Sequence, residues 1–133
     1  MTRGLYVRRI GQGARRVLAF HCSLAHSGTW RGLAAEFDND VTLIAPDMYA
    51  HGQSPDLPVG QHLQEAMVDA ASTLLDQPTD LWGHSFGGAI ALRLALRKPE
   101  LVRSIVLFEP ILLAVAVADA PDLAEADRAA GAS

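Results

Sequence analysis

The chain has 133 residues, half of them hydrophobic and 20% charged, with 11 basic against 15 acidic side chains and a formal net charge of −4. That length suits one domain with a packed core, and the composition excludes a disordered tail or a fibre. Mild acidity argues against nucleic acid as a partner, since phosphate binding needs clustered positive charge; the pairs Arg8-Arg9 and Arg15-Arg16 read as solvated strand-edge and turn residues.

Cys22 is the single cysteine, so no internal disulfide forms, and the first residues carry no apolar stretch of the signal-peptide kind. The cytoplasm is the expected compartment. The longest apolar run, residues 111–118, falls far short of the roughly 20 residues that span a bilayer, so no membrane partner is expected.

In chain order, residues 5–10 form a strand candidate, and Gly11-Gln12-Gly13 reads as a turn able to close a hairpin onto the apolar run 16–21. Trp30, Leu33, Ala34 and Phe37 recur at helical spacing, with Ser27 or Thr29 as N-cap. A β-branched strand follows at 41–45, stopped by Pro46, then a polar loop over 47–60. Leu63, Met67, Ala70, Ala71, Leu74 and Leu75 share one helical face, and Pro78 ends that pattern. A short strand at 79–82 leads through Gly83-His84-Ser85-Phe86-Gly87-Gly88 into a small-residue helix stopped by Pro99, and 102–108 is a fourth apolar strand. Strands that read as continuous apolar runs are buried on both faces; alternating with helical patterns, they predict a mostly parallel α/β sheet with helices on both sides. Residues 121–133 are Ala-rich and acidic and predict one or two helices.

The chemistry concentrates at Gly83-His84-Ser85-Phe86-Gly87, a match to G-x-S-x-G with a strand before it and a helix after it. A serine in such a tight turn stands above the sheet, and the residues two before and two after must be small where the two backbones meet. The helix behind it aims the positive end of its dipole at developing negative charge. About 0.05 such matches arise by chance in this composition, and the competing reading is a glycine-rich turn whose serine caps the helix.

With these residues the chain resembles the α/β-hydrolase family. Phe20-His21-Cys22-Ser23 is similar to the strand-ending His-Gly motif that opens the oxyanion loop, Asp47-Met48-Tyr49-Ala50-His51-Gly52-Gln53-Ser54 to the Asp-x-x-Gly-His-Gly-x-Ser loop, and Lys98-Pro99-Glu100-Leu101-Val102 to the link after the elbow helix. Cys22 and Ala50 stand where those motifs have glycine. A glycine position that demands positive φ would be strained by the substitution. Cys22 itself reads as a small buried residue rather than a nucleophile.

The resemblance implies a single partial domain over residues 1–133, of α/β-hydrolase type but lacking the last strands, matching the first half to two-thirds of the family domain, with residues 111–133 as the start of a cap or terminal helical segment. It implies Ser85 as nucleophile, the backbone N–H groups of Phe86 and Ser23 as oxyanion donors, and an ester or related small-molecule carbonyl substrate cleaved through an acyl-enzyme, with no cofactor. Glu109 stands where some members place the triad acid, although Glu-Pro also reads as a plain strand stop. The family's late histidine has no counterpart, since no histidine follows His84.

His26, in the loop that should overhang Ser85, is the nearest substitute base. His21 is expected to brace the oxyanion loop and His51 the loop after the next strand, while His84 should point away from Ser85 and His62 belongs to a helix start. A metal site from His21, His26 and Asp47 would match no ligand spacing. Trp30 and Trp82 read as core. The rival reading is a non-catalytic fragment or a module that self-associates through an exposed strand edge near Val106 and Phe108.

Overall fold

The computed structural model describes residues 4–37 and 39–109. Its elements are β1 (Val7–Ile10), β2 (Arg15–Phe20), a 3-10 turn (Ser27–Trp30), α1 (Arg31–Ala35), β3 (Val41–Pro46), α2 (Leu63–Ser72), β4 (Thr79–His84), α3 (Phe86–Arg97), a second 3-10 turn (Pro99–Leu101) and β5 (Val102–Phe108). They form one five-stranded sheet in the order β1-β3-β2-β4-β5, parallel except for β1. The expected class, a mostly parallel sheet with helices on both faces, is what the chain adopts.

The centre of the sheet follows from the apolar runs. Side chains alternate along β2, so Leu18 and Phe20 enter one cluster with Met67, Leu75, Ile90 and Leu94, while Val17 and Ala19 enter another with Trp30, Leu43 and Trp82. A strand whose two faces are both buried has no polar side, and the sequence of β2 beyond its two arginines shows none. The first cluster lies under α2 and α3, the second under α1 and the turn before it.

The hairpin expected at Gly11-Gln12-Gly13 does not form. β1 pairs antiparallel with β3, Val7 opposite Pro46 and Ile10 opposite Leu43, because β2 already has β3 on one side and β4 on the other. The two glycines serve instead to press the chain against the start of β3. A Cβ on Gly13 would lie 2.1 Å from the Asp40 carbonyl carbon, Gly11 adopts φ +88°, and the Gly13 N–H donates to the Val41 carbonyl at 3.0 Å.

Helix boundaries shift for local reasons. The cap expected from Ser27 or Thr29 is made by His26, whose Nδ1 accepts from the Gly28 N–H at 3.0 Å; Ser27 is buried and engaged elsewhere. α1 ends at Ala35, short of Phe37. α2 ends at Ser72, and the N–H groups of Thr73, Leu74 and Leu75 reach back three residues, to Ala70, Ala71 and Ser72, so a tighter last turn delivers Leu75 to the core.

β5 is an edge strand of the described residues, and Val106 on it is 41% exposed. Beside it a groove of about 510 Å³ opens on the α1 face between Phe37, Val41, Trp82, Val106 and Phe108. Asp80, at the start of β4, is buried there. Both Nε and Nη2 of Arg15 donate to its carboxylate, with Nη2 at 3.1 Å, as does the Ser104 hydroxyl at 2.7 Å. Burial pushes this carboxyl up, but those donors and the Arg103 charge outweigh it and hold Asp80 below the usual 3.8. No helix among the described residues is long and apolar enough to cross a membrane. The expected cap at 111–133 lies outside the described residues.

Candidate active site

β4 ends at His84 and α3 begins at Phe86, leaving a single residue to turn the chain. That residue is Ser85, with φ +56° and ψ −116°, outside every region that a non-glycine residue occupies at ease. The turn is held by its surroundings. The Ser85 N–H donates to the Phe108 carbonyl at the end of β5, and the Ser85 carbonyl accepts from the Gly88 N–H, both at 2.9 Å. A Cβ on Gly83 would sit 2.6 Å from the Gly87 carbonyl oxygen and from the Gly88 Cα, and one on Gly87 would sit 2.3 Å from the Phe20 carbonyl oxygen. Both glycines of the motif are therefore dictated by backbone approach.

Gly87 also brings the second loop into the site. Its Cβ position lies 2.5 Å from the His21 carbonyl oxygen, so the first turn of α3 rests on the segment where β2 gives way to the loop over 21–27. Phe86 is the first residue of α3, and its N–H is one of the donors that a helix leaves unpaired at its start. Ser23 is exposed in the tight turn 22–25, closed by the Ala25 N–H on the Cys22 carbonyl at 3.2 Å. Glu109 is exposed, has φ +44°, and directly follows the Phe108 carbonyl that anchors Ser85. The ends of β2, β4 and β5 thus gather Ser23, Ser85, Phe86 and Glu109 at the carboxyl edge of the parallel strands, where open α/β sheets place their ligands.

The histidines are separated by role. His21 is fully buried, with Nδ1 paired to the Cys22 carbonyl at 2.7 Å and Nε2 accepting from the Met48 N–H at 3.0 Å, which fixes a neutral ring protonated on Nδ1. His51 stacks obliquely on it, ring centres 5.4 Å apart, and its own Nδ1 pairs with the Tyr49 carbonyl at 2.8 Å. His84 turns to the α1 face, lining a groove of about 250 Å³ with Thr29, Trp30, Leu33 and Phe108. Trp30 packs there with Trp82 and Phe108.

Asp47 is the second organiser. It is buried, with Oδ1 accepting from the Ser27 N–H at 2.7 Å and Oδ2 from the Gln53 N–H at 2.8 Å, and Gly52, at φ +48°, leaves room for the carboxylate. Burial raises the Asp47 carboxyl, but these bonds and the His21 ring outweigh it and hold it below 3.8. His21, His26 and Asp47 each accept from backbone N–H groups.

Of the two glycine positions filled by larger residues, only one is strained. Ala50 has φ +62°, whereas Cys22 is not among the positive-φ residues and fits its place. Leu24, which no sequence pattern singles out, sits in the same loop at φ +65° with 98% of its surface exposed.

A family model described as the alpha/beta hydrolase fold matches residues 15–133. The chain belongs to the α/β-hydrolase fold family. It is 38% identical over 111 residues to lipase LipV of Mycobacterium tuberculosis, covering 80% of this chain and 41% of that protein. To the 2-hydroxymuconate semialdehyde hydrolase of Pseudomonas sp. strain CF600 it is 43% identical over 82 residues, 59% of this chain and 29% of that one. Among solved structures, the monoacylglycerol lipase of Paleococcus ferrophilus superposes with a TM-score of 0.70 at 29% identity, over 83% of this chain and 44% of the lipase. The matched segment thus covers less than half the length of each of these proteins.

Proposed function

We propose that this chain carries the nucleophile portion of a serine hydrolase acting on an ester or related small-molecule carbonyl. The reading rests on one observation, Ser85 held at φ +56° and ψ −116° between β4 and the first residue of α3. In the reaction the Ser85 Oγ bonds to the carbonyl carbon as its proton passes to a histidine base. The carbonyl oxygen, now negative, accepts from the N–H groups of Phe86 and Ser23, each such donor contributing about 2.7 to 4 kcal/mol to the transition state. Collapse expels the alcohol with that proton, and water then releases the acid from Ser85 by the same steps in reverse order.

His21, His26 and His51 hold backbone partners through Nδ1, and residues 86–133 contain no histidine. We assign the base to His26, on the loop that follows β2, or to a histidine of a second copy of this chain, with Glu109 as the carboxylate that orients it. Without a base a serine hydroxyl is a weak nucleophile, and losing either partner lowers kcat on the order of 10⁶-fold.

The test is covalent labelling of the purified chain by a fluorophosphonate, read by intact mass, with circular dichroism confirming the fold. A single adduct that disappears in Ser85→Ala supports the serine hydrolase reading. A folded chain that takes no adduct favours the non-catalytic alternative. Self-association through β5 is a separate proposal resting on its place at the sheet edge, and sedimentation showing only monomer at high concentration ends it.

A further inference from the structure

The Cys22 carbonyl and the Ser23 N–H are the two ends of one peptide group. Because that group is planar and trans, whatever fixes the direction of its carbonyl also fixes the direction of its N–H. The Cys22 carbonyl accepts from the His21 Nδ1–H at 2.7 Å and, more weakly, from the Ala25 N–H at 3.2 Å, and the other side of the same ring, Nε2, is held by the Met48 N–H at 3.0 Å. Met48 belongs to the 47–54 loop, itself tied together by Asp47 through Ser27 and Gln53 and by the Ser54 hydroxyl on the Asp47 carbonyl at 2.6 Å.

We propose that His21 is a positioning residue that aims the Ser23 N–H, and that its protonation releases this aim by breaking the link to the 47–54 loop. A ring protonated on both nitrogens has no acceptor left, so Nε2–H would face the Met48 N–H donor to donor. The groups facing the ring are His51 at 5.4 Å between centres, Asp47 on the same loop and His26 on the oxyanion loop. Burial, with His51 and His26 adding to it, opposes the charge, while the Cys22 carbonyl and Asp47 favour it; the net effect lowers His21 below 6.5. The switch therefore stays closed at neutral pH and opens only as pH falls below 6.5. Its meaning for catalysis rests on Ser23 being an oxyanion donor, but the coupling itself is a property of the resting chain.

The experiment is a pH titration of the full 133-residue chain by ¹⁵N NMR, from about pH 8 to about pH 5. The expected result is a His21 ring protonated on Nδ1 at neutral pH, an inflection below 6.5, and shifts of the Ser23 and Met48 amides that follow that inflection. Protection of the Met48 amide from exchange should fall about tenfold beyond the intrinsic pH effect. In His21→Gln the side-chain carbonyl can accept from Met48 without titrating, and the step at Ser23 should vanish. A ring protonated on Nε2, or a His21 titration that leaves Ser23 and Met48 unmoved, overturns the proposal, as does a step that persists in His21→Gln. The wild-type titration decides the matter even where that variant does not fold. Since the amides are read directly, a chain that shows the coupling but takes no label at Ser85 upholds this inference and sinks the hydrolase reading; a labelled chain without the coupling does the reverse.

Discussion

The elbow at Ser85 and the loop from His21 to Ser27 meet at one point, yet they are held by different forces. The elbow is locked by backbone against backbone: Gly83 and Gly87 admit no side chain, and the anchoring bonds from Phe108 and Gly88 involve no titrating group. The loop is held at both ends by ionisable side chains, His21 at its start and Asp47 at Ser27. Steric exclusion keeps Ser85 in one strained place whatever the conditions. The loop from His21 to Ser27 depends on two side chains whose protonation can change.

The sharpest break in this contrast is Gly87→Ala. Its Cβ would meet the Phe20 carbonyl oxygen at 2.3 Å and the His21 carbonyl oxygen at 2.5 Å, with only backbone to give way. Chemical denaturation should show a loss at the upper end of about 1 to 3 kcal/mol, together with loss of any fluorophosphonate adduct. Asp47→Asn comes next, because an amide oxygen replaces only one of two charged acceptors. It should cost about 2 kcal/mol in the same assay and expose the loops 22–28 and 47–54 to exchange while β4 and α3 stay protected. A uniform rise in exchange would erase the distinction between the two regions.

Acid separates the regions further. Because the folded His21 value lies below 6.5, the unfolded chain binds more protons between the two values; its contribution is complete above about 6.5 and lost as pH falls through the folded value. Asp47 and Asp80 lie below 3.8, so their contributions persist until more acid conditions. Thermal melts should show a decline below pH 6.5 that His21→Gln removes, and a decline below pH 3.8 that it leaves in place. The smallest effect is Ala50→Gly. Relief of φ +62° is worth about 1 to 2 kcal/mol and the added unfolded-state freedom opposes it by about 0.5 to 1, so the variant should gain about 0.5 kcal/mol. Cys22→Gly should gain nothing, since that residue carries no positive φ.

The four apolar strands, the three helices between them and the serine turn were legible in the sequence because each is a local pattern. Val102 to Phe108 announces β5 by composition alone, and Gly83 and Gly87 announce the elbow by spacing. The pairing of β1 was not legible: Gly11-Gln12-Gly13 has the chemistry of a hairpin turn, and only the occupation of both sides of β2 diverts β1 to β3. Asp80 hid in an apolar strand, its signal being a carboxylate that requires partners supplied by Arg15 and Ser104 from other strands.

The amino-acid order by itself determined the alternation of strand and helix, the family and the identity of the serine, since these depend on periodicity and on which residues are small enough for a tight turn. The tertiary structure alone decided how the strands are ordered, that Ala50 is strained while Cys22 is not, and that one histidine ring links the Cys22–Ser23 peptide to Met48. Those outcomes depend on groups far apart in the chain meeting within hydrogen-bond distance, and no local pattern encodes the direction in which a peptide group points.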